Sequence, residues 1–203
     1  MARRKKEYDF RFPPQLQKLK RGPQIILPKD LGAIVAFTGM NKESIVVDAG
    51  TGSGFATVFF ASIAKKVYSY ENKKEFYEFS EKNIKRSGLT NIVHKFGSVF
   101  EEISKIEEEI NVINLDLPNP ENIFNSNFKL SEDGYIVAYL PHTEQVSKFV
   151  STATKNNFTT FTIEVIVREI ISREKGTRPQ NTGIMHTAYL TFCRKQNSIV
   201  KGE

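Results

Sequence analysis

The sequence has few of the residues from which disulfides and metal sites are built. Its 203 residues include one cysteine, Cys193, and three histidines. A single thiol cannot form an internal disulfide, and its place in a late apolar stretch predicts a buried structural thiol. The histidines (His94, His142 and His186) stand far apart and have no cysteine or acidic partner at ligand spacing. We therefore expect no metal site.

Long apolar segments are also missing. The longest apolar run covers residues 135–140, far short of the roughly 20 residues that cross a bilayer. The basic first residues are not followed by an apolar stretch. We expect a cytoplasmic protein with no membrane partner. The length predicts one domain with a full core, and a hydrophobic content of 39% is typical of soluble globular proteins.

Positive charge is concentrated at the start of the chain. The first 30 residues contain nine Lys or Arg and three acidic residues, which equals the net charge of +6 of the whole chain. A basic arm of this kind favours a polyanionic partner, and its aromatic residues could stack on bases. The alternative is a solvated tail without function. The candidate RNA-binding residues of the arm are Arg3, Arg4, Lys5, Lys6 and Arg11.

A glycine-rich turn follows an apolar strand in the middle of the first half. Residues 45–47 are β-branched, and Asp48-Ala49-Gly50-Thr51-Gly52-Ser53-Gly54 comes directly after them. The glycines permit positive φ and let a ligand lie against bare backbone. A helical stretch at residues 55–64 follows, as at the carboxyl edge of a parallel sheet. The alternative is an ordinary connection between a strand and a helix.

The surrounding residues separate this turn from other nucleotide-binding loops. No Lys with Ser or Thr follows Gly54, as a P-loop requires, and the G-x-G-x-x-G spacing of dinucleotide sites is absent. Glu71 ends the next predicted strand, where a carboxylate can accept hydrogen bonds from both ribose hydroxyls. The pattern resembles that of class I S-adenosylmethionine-dependent methyltransferases, which implies S-adenosyl-L-methionine as the cofactor.

The alternation of strands and helices predicts a doubly wound α/β domain. We expect a mostly parallel seven-stranded sheet with a reversed edge strand, formed by antiparallel pairing of residues 158–171 with 186–194. The predicted organisation is a flexible basic arm at 1–20, the methyltransferase domain at 21–196 and a tail at 197–203.

Local signals give the boundaries of several elements. Pro28 begins a helix that Gly39 ends. Residues 73–87 form a helix with Phe76, Phe79 (or Tyr77) and Ile84 facing inward and Gly88 as its cap. Asp133 and Gly134 predict a tight turn, and Thr143 an N-cap without a capping box. Residues 172–183 predict a polar loop.

A carboxylate follows the fourth predicted strand. Asp116 begins Asp116-Leu117-Pro118-Asn119-Pro120, and the two prolines stiffen the loop so that the carboxylate stays at the sheet edge, beside the expected methyl group. The alternative is an aspartate that accepts hydrogen bonds from turn N–H groups.

Several stretches together are similar to one family. The first two are the Q-x-I-x-P-K-D motif that begins at Gln24 and the glycine loop at residues 48–54. The others are the D-L-P-x-P loop at Asp116, the Y-L-P motif at Tyr139, and the R-P…H-T set at Arg178 and His186. The set resembles the tRNA adenine-58 N1-methyltransferase family in its archaeal and bacterial single-chain form, over residues 21–195. That family is tetrameric, which implies a homotetramer here.

The resemblance implies a role for each matched residue. Asp116 would engage the target adenine, Tyr139 would line its pocket, and Arg178 and His186 would contact RNA. Ser98 stands where the class often has an acidic residue for the adenine amino group, and a hydroxyl is a weaker partner. The implied cofactor contacts are Gln24, Asp48, Gly50, Thr51, Gly52, Gly54, Glu71, Ser98, Val99 and Asp116.

The implied function is methyl transfer to N1 of an adenine in the T-loop of tRNA, at position 58 and, as a second target, position 57. Two other functions stay open. A class I methyltransferase for protein or small molecules would not need the basic arm. A noncatalytic RNA-binding subunit of a tRNA methyltransferase complex should have lost the Asp116 loop, and the intact loop disfavours it.

Overall fold

The computed structural model describes residues 12–22, 25–174, 176–181 and 186–196. A seven-stranded sheet runs through the centre in the order β3-β2-β1-β4-β5-β9-β6, and β7 and β8 form a separate hairpin. The strands are β1 Ile45–Ala49, β2 Lys66–Glu71, β3 Ile92–Phe96, β4 Ile110–Leu115, β5 Leu130–Leu140, β6 Phe158–Glu164, β7 Ile170–Arg173, β8 Gly176–Pro179 and β9 Tyr189–Lys195.

Helices connect the strands and cover both faces of the sheet. They are α1 Pro14–Gln17, α2 Pro28–Thr38, α3 Phe55–Ala61, α4 Lys74–Ser87, α5 Val99–Glu102 and α6 Thr143–Lys155, with 3₁₀ turns at Ile103–Lys105 and Pro120–Asn125. As predicted, α2 begins at Pro28 and ends before Gly39, and α4 ends before Gly88, where both glycines have positive φ. Glycine takes this left-handed conformation without steric cost.

The strand order confirms the predicted doubly wound, mostly parallel sheet. Strands β3, β2, β1, β4 and β5 pair in parallel. The reversed strand is β9, which pairs antiparallel with β5 on one side and with β6 on the other. Because strand order reverses between β1 and β4, a crevice opens outside their carboxyl ends, where α/β proteins bind ligands.

Alternate residues of the central strands pack in two hydrophobic cores, one on each face of the sheet. Val46 and Val112 pack under α2 and α3, whereas Val47 and Ile113 face α5 and α6. Both faces are covered, so β1 reads as a continuous apolar run until Asp48. Cys193 belongs to the second of these cores and is fully buried, which confirms the predicted structural thiol. Burial raises the pKa of that thiol and makes it unreactive.

Residues 12–22 pack onto the domain, which corrects the expectation of a flexible arm through residue 20. Phe12, Leu16 and Leu19 are buried, and the Phe12 ring meets the Phe55 ring edge-on with centroids 6.2 Å apart. The reason is a short apolar pattern around α1, which the surrounding charges obscure in the sequence. The basic residues of the arm up to Arg11 lie outside the described part of the chain.

Four local predictions are wrong. Asp133 and Gly134 lie within β5 and form no turn. The N-cap of α6 is His142, one residue before the predicted Thr143. Its backbone N–H donates to the Gln145 side chain at 3.2 Å, so a capping box is present where none was predicted. The run 158–171 is divided between β6 and β7. Much of 172–183 forms the β7–β8 hairpin.

The inward face of α4 is more polar than predicted. Ser80 and Asn83 are its buried residues, while Phe76 and Phe79 border the cavity described below. Within the described parts of the chain, the helices are too short or too polar to cross a bilayer.

Candidate active site

The glycine loop forms one side of a tight junction between strand ends. The N–H groups of Gly50 and Thr51 donate to the Tyr70 carbonyl at 3.0 and 3.2 Å, which fixes the loop against β2. On the other side, the Asp116 N–H donates to the Ala49 carbonyl at 2.9 Å. Gly50 has φ of 89°, and a Cβ there would lie 2.1 Å from the Asp116 carbonyl oxygen. Only glycine fits at this position.

Asp48 stabilises the glycine loop through buried hydrogen bonds. Its carboxylate is buried and accepts hydrogen bonds from Thr57 at 2.6 Å and from Asn114 at 2.8 Å. Burial raises the pKa of Asp48 to about 6, although these two hydrogen bonds oppose the rise. The Thr51 hydroxyl is likewise bonded to Ser69 at 2.6 Å. The predicted cofactor residues Asp48 and Thr51 therefore stabilise the loop and do not border the cavity.

Glu71 connects the end of β2 to the glycine loop. One carboxylate oxygen accepts the Gly52 N–H at 2.9 Å, and the other accepts the Lys73 N–H at 2.9 Å. Each oxygen still has a lone pair that a hydroxyl could use. Glu71 borders the cavity as the sequence predicts, and its bond to Gly52 also fixes the loop conformation.

A cavity of about 990 Å³ opens at the carboxyl edge of the sheet. It brings together the predicted residues Gly50, Gly52, Glu71, Asp116 and Tyr139. Its volume is at the upper end of the range typical of small-molecule sites. The remaining lining residues are Arg21, Gly22, Ser53, Asn72, Lys73, Glu75, Phe76, Glu78, Phe79, Lys82, Leu117, Pro118, Pro141 and Gln145.

Three other predicted cofactor residues lie outside this lining. Gly54 is the N-cap of α3, and a Cβ there would meet Ser80 of α4 at 3.4 Å, so it serves the packing of two helices. Val99 is buried in the core. The Ser98 carbonyl accepts the N–H groups of Glu101 and Glu102 and begins α5. Gln24 lies outside the described residues.

Asp116 is placed at the cavity wall by the end of β4. Its side chain is exposed to solvent at the cavity. Desolvation by the surrounding protein raises the pKa of the Asp116 carboxyl to about 7, and the nearby carboxylates of Asp48 and Glu71 raise it further in the same direction. A carboxyl group that titrates near neutral pH inside a cavity is a typical mark of a functional site.

Tyr139 is placed at the same cavity by the end of β5, where it pairs with Leu190 of β9. Burial raises the pKa of its phenol to about 12, an interaction with the Thr187 side chain opposes the rise, and Asp30 and Asp116 add to it. The phenol is therefore neutral at physiological pH. Asp116 and Tyr139 come from adjacent parallel strands, which explains why two residues 23 positions apart meet at one wall.

Sequence reasoning missed the outer wall of the cavity. Arg21 and Gly22 reach it because Asn83 of α4 bonds both backbone groups of Lys20, at 2.9 and 2.8 Å, and also the Ser53 carbonyl at 2.8 Å. Asn83 could have indicated this contact, because a buried asparagine side chain on the inward face of a helix needs hydrogen-bond partners.

The two residues of the second half that were predicted to contact RNA, His186 and Arg178, have different surroundings. Both ring nitrogens of His186 are engaged within the chain, with Glu164 Oε1 at 2.5 Å and the Pro141 carbonyl at 3.0 Å. These bonds disfavour a direct phosphate contact, and they support the strand end that carries Tyr139. Arg178 is exposed in the β7–β8 hairpin, away from the cavity lining.

The fold and the cavity together define a class of protein. The sheet has a glycine loop after β1, an acidic residue at the end of β2 and a carboxylate after β4. This strand order and these three features are those of a class I S-adenosylmethionine-dependent methyltransferase. Residues 14–184 match the family described as tRNA methyltransferase complex GCD14 subunit. The chain belongs to this family.

Known proteins similar to this chain agree with that assignment. The tRNA (adenine(57)-N(1)/adenine(58)-N(1))-methyltransferase TrmI of Methanocaldococcus jannaschii is 36% identical over 88% of this chain and 74% of its own length. The tRNA (adenine(58)-N(1))-methyltransferase TrmI of Thermus thermophilus is 30% identical over 89% of this chain and 72% of its own length. The crystal structure of tRNA (m1A58) methyltransferase TrmI from Aquifex aeolicus superimposes with a TM-score of 0.79 at 29% identity, covering 91% of this chain and 75% of that one.

Proposed function

We propose that this protein transfers a methyl group from S-adenosyl-L-methionine to N1 of an adenine in the T-loop of tRNA. The target is position 58, and position 57 is a second candidate because the Methanocaldococcus relative carries both in its name. The observation that carries the proposal is the meeting of Asp116 and Tyr139 at the same cavity as Gly50 and Glu71.

The residues present fit the cofactor. Gly50 and Gly52 expose bare backbone at the cavity, and Glu71 has free lone pairs for two ribose hydroxyls. The carboxylates of Asp48, Glu71 and Asp116 interact with one another through the site and make it negative. Carboxylates beside the glycine loop, and the absence of the Lys with Ser or Thr that follows the last glycine of a P-loop, suit a sulfonium cation better than a pyrophosphate.

When bound, S-adenosyl-L-methionine supplies an electrophilic methyl group on a positively charged sulfur. Adenine N1 has a lone pair, so the reaction requires alignment of the two reactants more than removal of a proton. The new C–N bond uses that lone pair, the C–S bond breaks, and its electrons return to sulfur. The ring consequently gains positive charge at the moment of transfer.

Asp116 has the chemistry to stabilise that charge. Its carboxylate can accept a hydrogen bond from the N6 amino group, next to the reacting N1, where water is partly excluded. Tyr139 offers a ring on which an adenine can pack once it has been extruded from its stack. Both groups border a cavity that is large enough for a cofactor and a base to be adjacent.

We propose that basic residues outside the cavity bind the RNA. The arm residues Arg3, Arg4, Lys5, Lys6 and Arg11 supply charge for phosphates, with Arg178 on the β7–β8 hairpin as a further candidate. We further propose a homotetramer acting in the cytoplasm, since the resemblance implies the first and tRNA is the substrate named for the relatives. Light scattering on the purified protein tests the assembly.

Two measurements test the function. Calorimetry should detect binding of S-adenosyl-L-methionine to the wild-type protein and weaker binding to Glu71→Ala. Tritiated methyl transfer should label bulk tRNA and not a protein extract. Label in the protein extract would instead support a protein methyltransferase, and cofactor binding without any transfer to tRNA would support a noncatalytic subunit.

A further inference from the structure

The cavity follows the carboxyl edge of the sheet, and the strand order gives it two ends. Glu71 ends β2 and borders the cavity at one end, whereas Tyr139 and Pro141, at the end of β5, border it at the other. Asp116 follows β4, which lies between β1 and β5. The proposed cofactor contacts belong to the loops after β1 and β2, so the β5 end is where the target base can lie. Gln145, in the first turn of α6, borders the same cavity.

The hydrogen bonds of Gln145 determine which atom of its side-chain amide a ligand can use. The oxygen, Oε1, accepts the backbone N–H of His142 at 3.2 Å. A backbone N–H can only donate, so this bond identifies the oxygen of the amide and leaves the nitrogen at the other position. No residue in the described part of the chain accepts a hydrogen bond from that nitrogen. The amide therefore offers two N–H donors to a ligand.

Packing fixes α6 against the loop that carries the catalytic carboxylate. Lys148, one turn after Gln145, forms an ion pair with Glu121 of the 3₁₀ turn at Pro120–Asn125. Phe149 is fully buried, and its ring lies beside that of Phe124 in the same turn, with the centroids 5.5 Å apart. The start of α6 and the D-L-P-N-P loop are therefore held together at one wall of the cavity.

The reacting edge of adenine does not by itself distinguish this base from cytosine. In adenine the nucleophilic N1 lies beside the N6 amino group, and in cytosine the nucleophilic N3 lies beside the N4 amino group. A carboxylate such as that of Asp116, which accepts a hydrogen bond from the amino group, fits either base. The two bases differ on the other side of the amino group, where adenine has the acceptor N7 and cytosine has a C–H group.

We propose that Gln145 donates a hydrogen bond to N7 of the target adenine and thereby selects adenine over cytosine. The inference deepens the proposed function and rests on it. Asp116 accepts a hydrogen from the N6 amino group, and Gln145 donates to the adjacent N7. Cytosine would place a C–H group against the Gln145 donors, and a site that loses a hydrogen bond in this way discriminates against the analogue. Guanine is disfavoured by Asp116, because its O6 is an acceptor that a carboxylate repels.

A cycle between the protein and the RNA tests the proposal. A ligated tRNA with 7-deazaadenosine at position 58 has a C–H group in place of the N7 acceptor. For the wild-type protein, this replacement should lower kcat/KM for the RNA by about tenfold. Gln145→Leu should methylate the natural tRNA about tenfold less efficiently, and the replacement should then cost about twofold at most. Effects of the replacement on RNA folding or on N1 basicity are common to both proteins and cancel.

Gln145→Glu separates the donor from the helix cap. A glutamate keeps an oxygen for the His142 N–H, so the melting temperature should stay near that of wild type. It has no amide donors, so its preference for N7 should be lost as in Gln145→Leu. Glu144→Leu is the matched control, because Glu144 is exposed on the same turn of α6 and lies outside the cavity lining. This variant should keep the full preference for N7.

A second readout is the choice of base. With cytosine at position 58, Gln145→Leu should increase methyl transfer to cytosine relative to adenine by about tenfold over wild type. The affinity for S-adenosyl-L-methionine, measured by calorimetry, should be unchanged, because Gln145 lies at the β5 end of the cavity. An unchanged ratio between the two bases would contradict the role in base selection.

An equal effect of 7-deazaadenosine on wild type and Gln145→Leu would overturn the contact. Retention of the N7 preference in Gln145→Glu would overturn it as well, since Gln145 would then act only through the helix cap. Sensitivity to 3-deazaadenosine in place of 7-deazaadenosine would contradict the assignment to N7. A wild-type protein that methylates no tRNA would count against the proposed function. In that case, equal binding of the adenosine and 7-deazaadenosine transcripts in the presence of S-adenosylhomocysteine would overturn the contact independently.

Discussion

Gly50 and Asp116 approach so closely that a Cβ on Gly50 would lie 2.1 Å from the Asp116 carbonyl oxygen. The cofactor loop and the loop that carries the candidate catalytic carboxylate are therefore in direct backbone contact. A change in the position of one loop must displace the other, because the two backbones touch.

Gly50→Ala should abolish cofactor binding and lower the melting temperature. It combines a clash with backbone atoms and a φ of 89°. Gly39→Ala is the matched control: φ there is 66°, but nothing lies within 4 Å of the added Cβ. It should cost only about 1–2 kcal/mol of conformational strain. Equal cofactor affinity in the two variants, measured by calorimetry, would contradict a role for the close approach.

The ionisation of Asp116 should appear in the pH dependence of the reaction. Because its pKa is raised to about 7, the protonated form prevails below neutral pH, and kcat/KM should increase from about pH 6 to about pH 8. Asp116→Asn should lower kcat by about two orders of magnitude and remove this dependence, with cofactor affinity nearly unchanged. Tyr139→Phe should keep it, because a phenol with a pKa of about 12 does not titrate in that range.

Stability provides an independent check of the same pKa. The Asp116 carboxyl has its usual pKa of 3.8 in the unfolded chain and a pKa of about 7 in the folded protein. Ionisation therefore costs folded-state stability, increasingly as the pH rises from about 4 to about 7. Asp116→Asn should raise the melting temperature more at about pH 8 than at about pH 5. An equal shift at both values would mean that the carboxyl is not perturbed.

Asn83→Ala should release residues 12–22 from the cavity wall. It removes the bonds to both backbone groups of Lys20 and to the Ser53 carbonyl, which costs roughly 2–3 kcal/mol. Trypsin should then cleave after Lys20 and Arg21. Asn91→Ala also removes two side-chain bonds, to the Ala61 and Ala64 carbonyls at 2.9 Å, and neither involves residues 12–22. Similar cleavage in both variants would indicate general destabilisation only.

Part of the site could be predicted from the sequence, because those residues follow strands directly. In a parallel sheet the carboxyl ends of neighbouring strands share one edge, so Gly50, Glu71, Asp116 and Tyr139 could be expected to meet. The seven-stranded arrangement followed from the same alternation. Sequence could not show which side chains of the loop face the cavity, and Asp48 proved to bond Thr57 and Asn114 instead.

The errors arose where distant residues decide the outcome. Asn83 and Lys20 are 63 positions apart, and Lys29 and Thr187 are 158 apart. Local patterns cannot reveal such partners. The predicted flexibility of residues 12–20 was wrong for this reason. Leu16 and Leu19 are apolar residues in a charged stretch, and their burial depends on the packing of α1 on α3.

Deletion of residues 1–11 should weaken tRNA binding and leave turnover at saturating tRNA unchanged. The deletion removes five basic residues and spares the packed segment that begins at Phe12. The slope of log affinity against log salt should decrease by up to about 0.9 for each phosphate that the arm neutralises. A shuffled arm of the same composition is the control and should retain most of the slope. Unchanged affinity and slope in the deletion would exclude the arm from docking.

The most direct test of the proposed function is to map the methyl group on an unmodified tRNA transcript. After incubation with S-adenosyl-L-methionine, nuclease digestion and mass spectrometry should identify 1-methyladenosine in the T-loop at position 58, and Asp116→Asn should leave that position largely unmodified. A wild-type protein that binds the cofactor but places the methyl group on another base or another atom, or leaves the transcript unmodified, would contradict it.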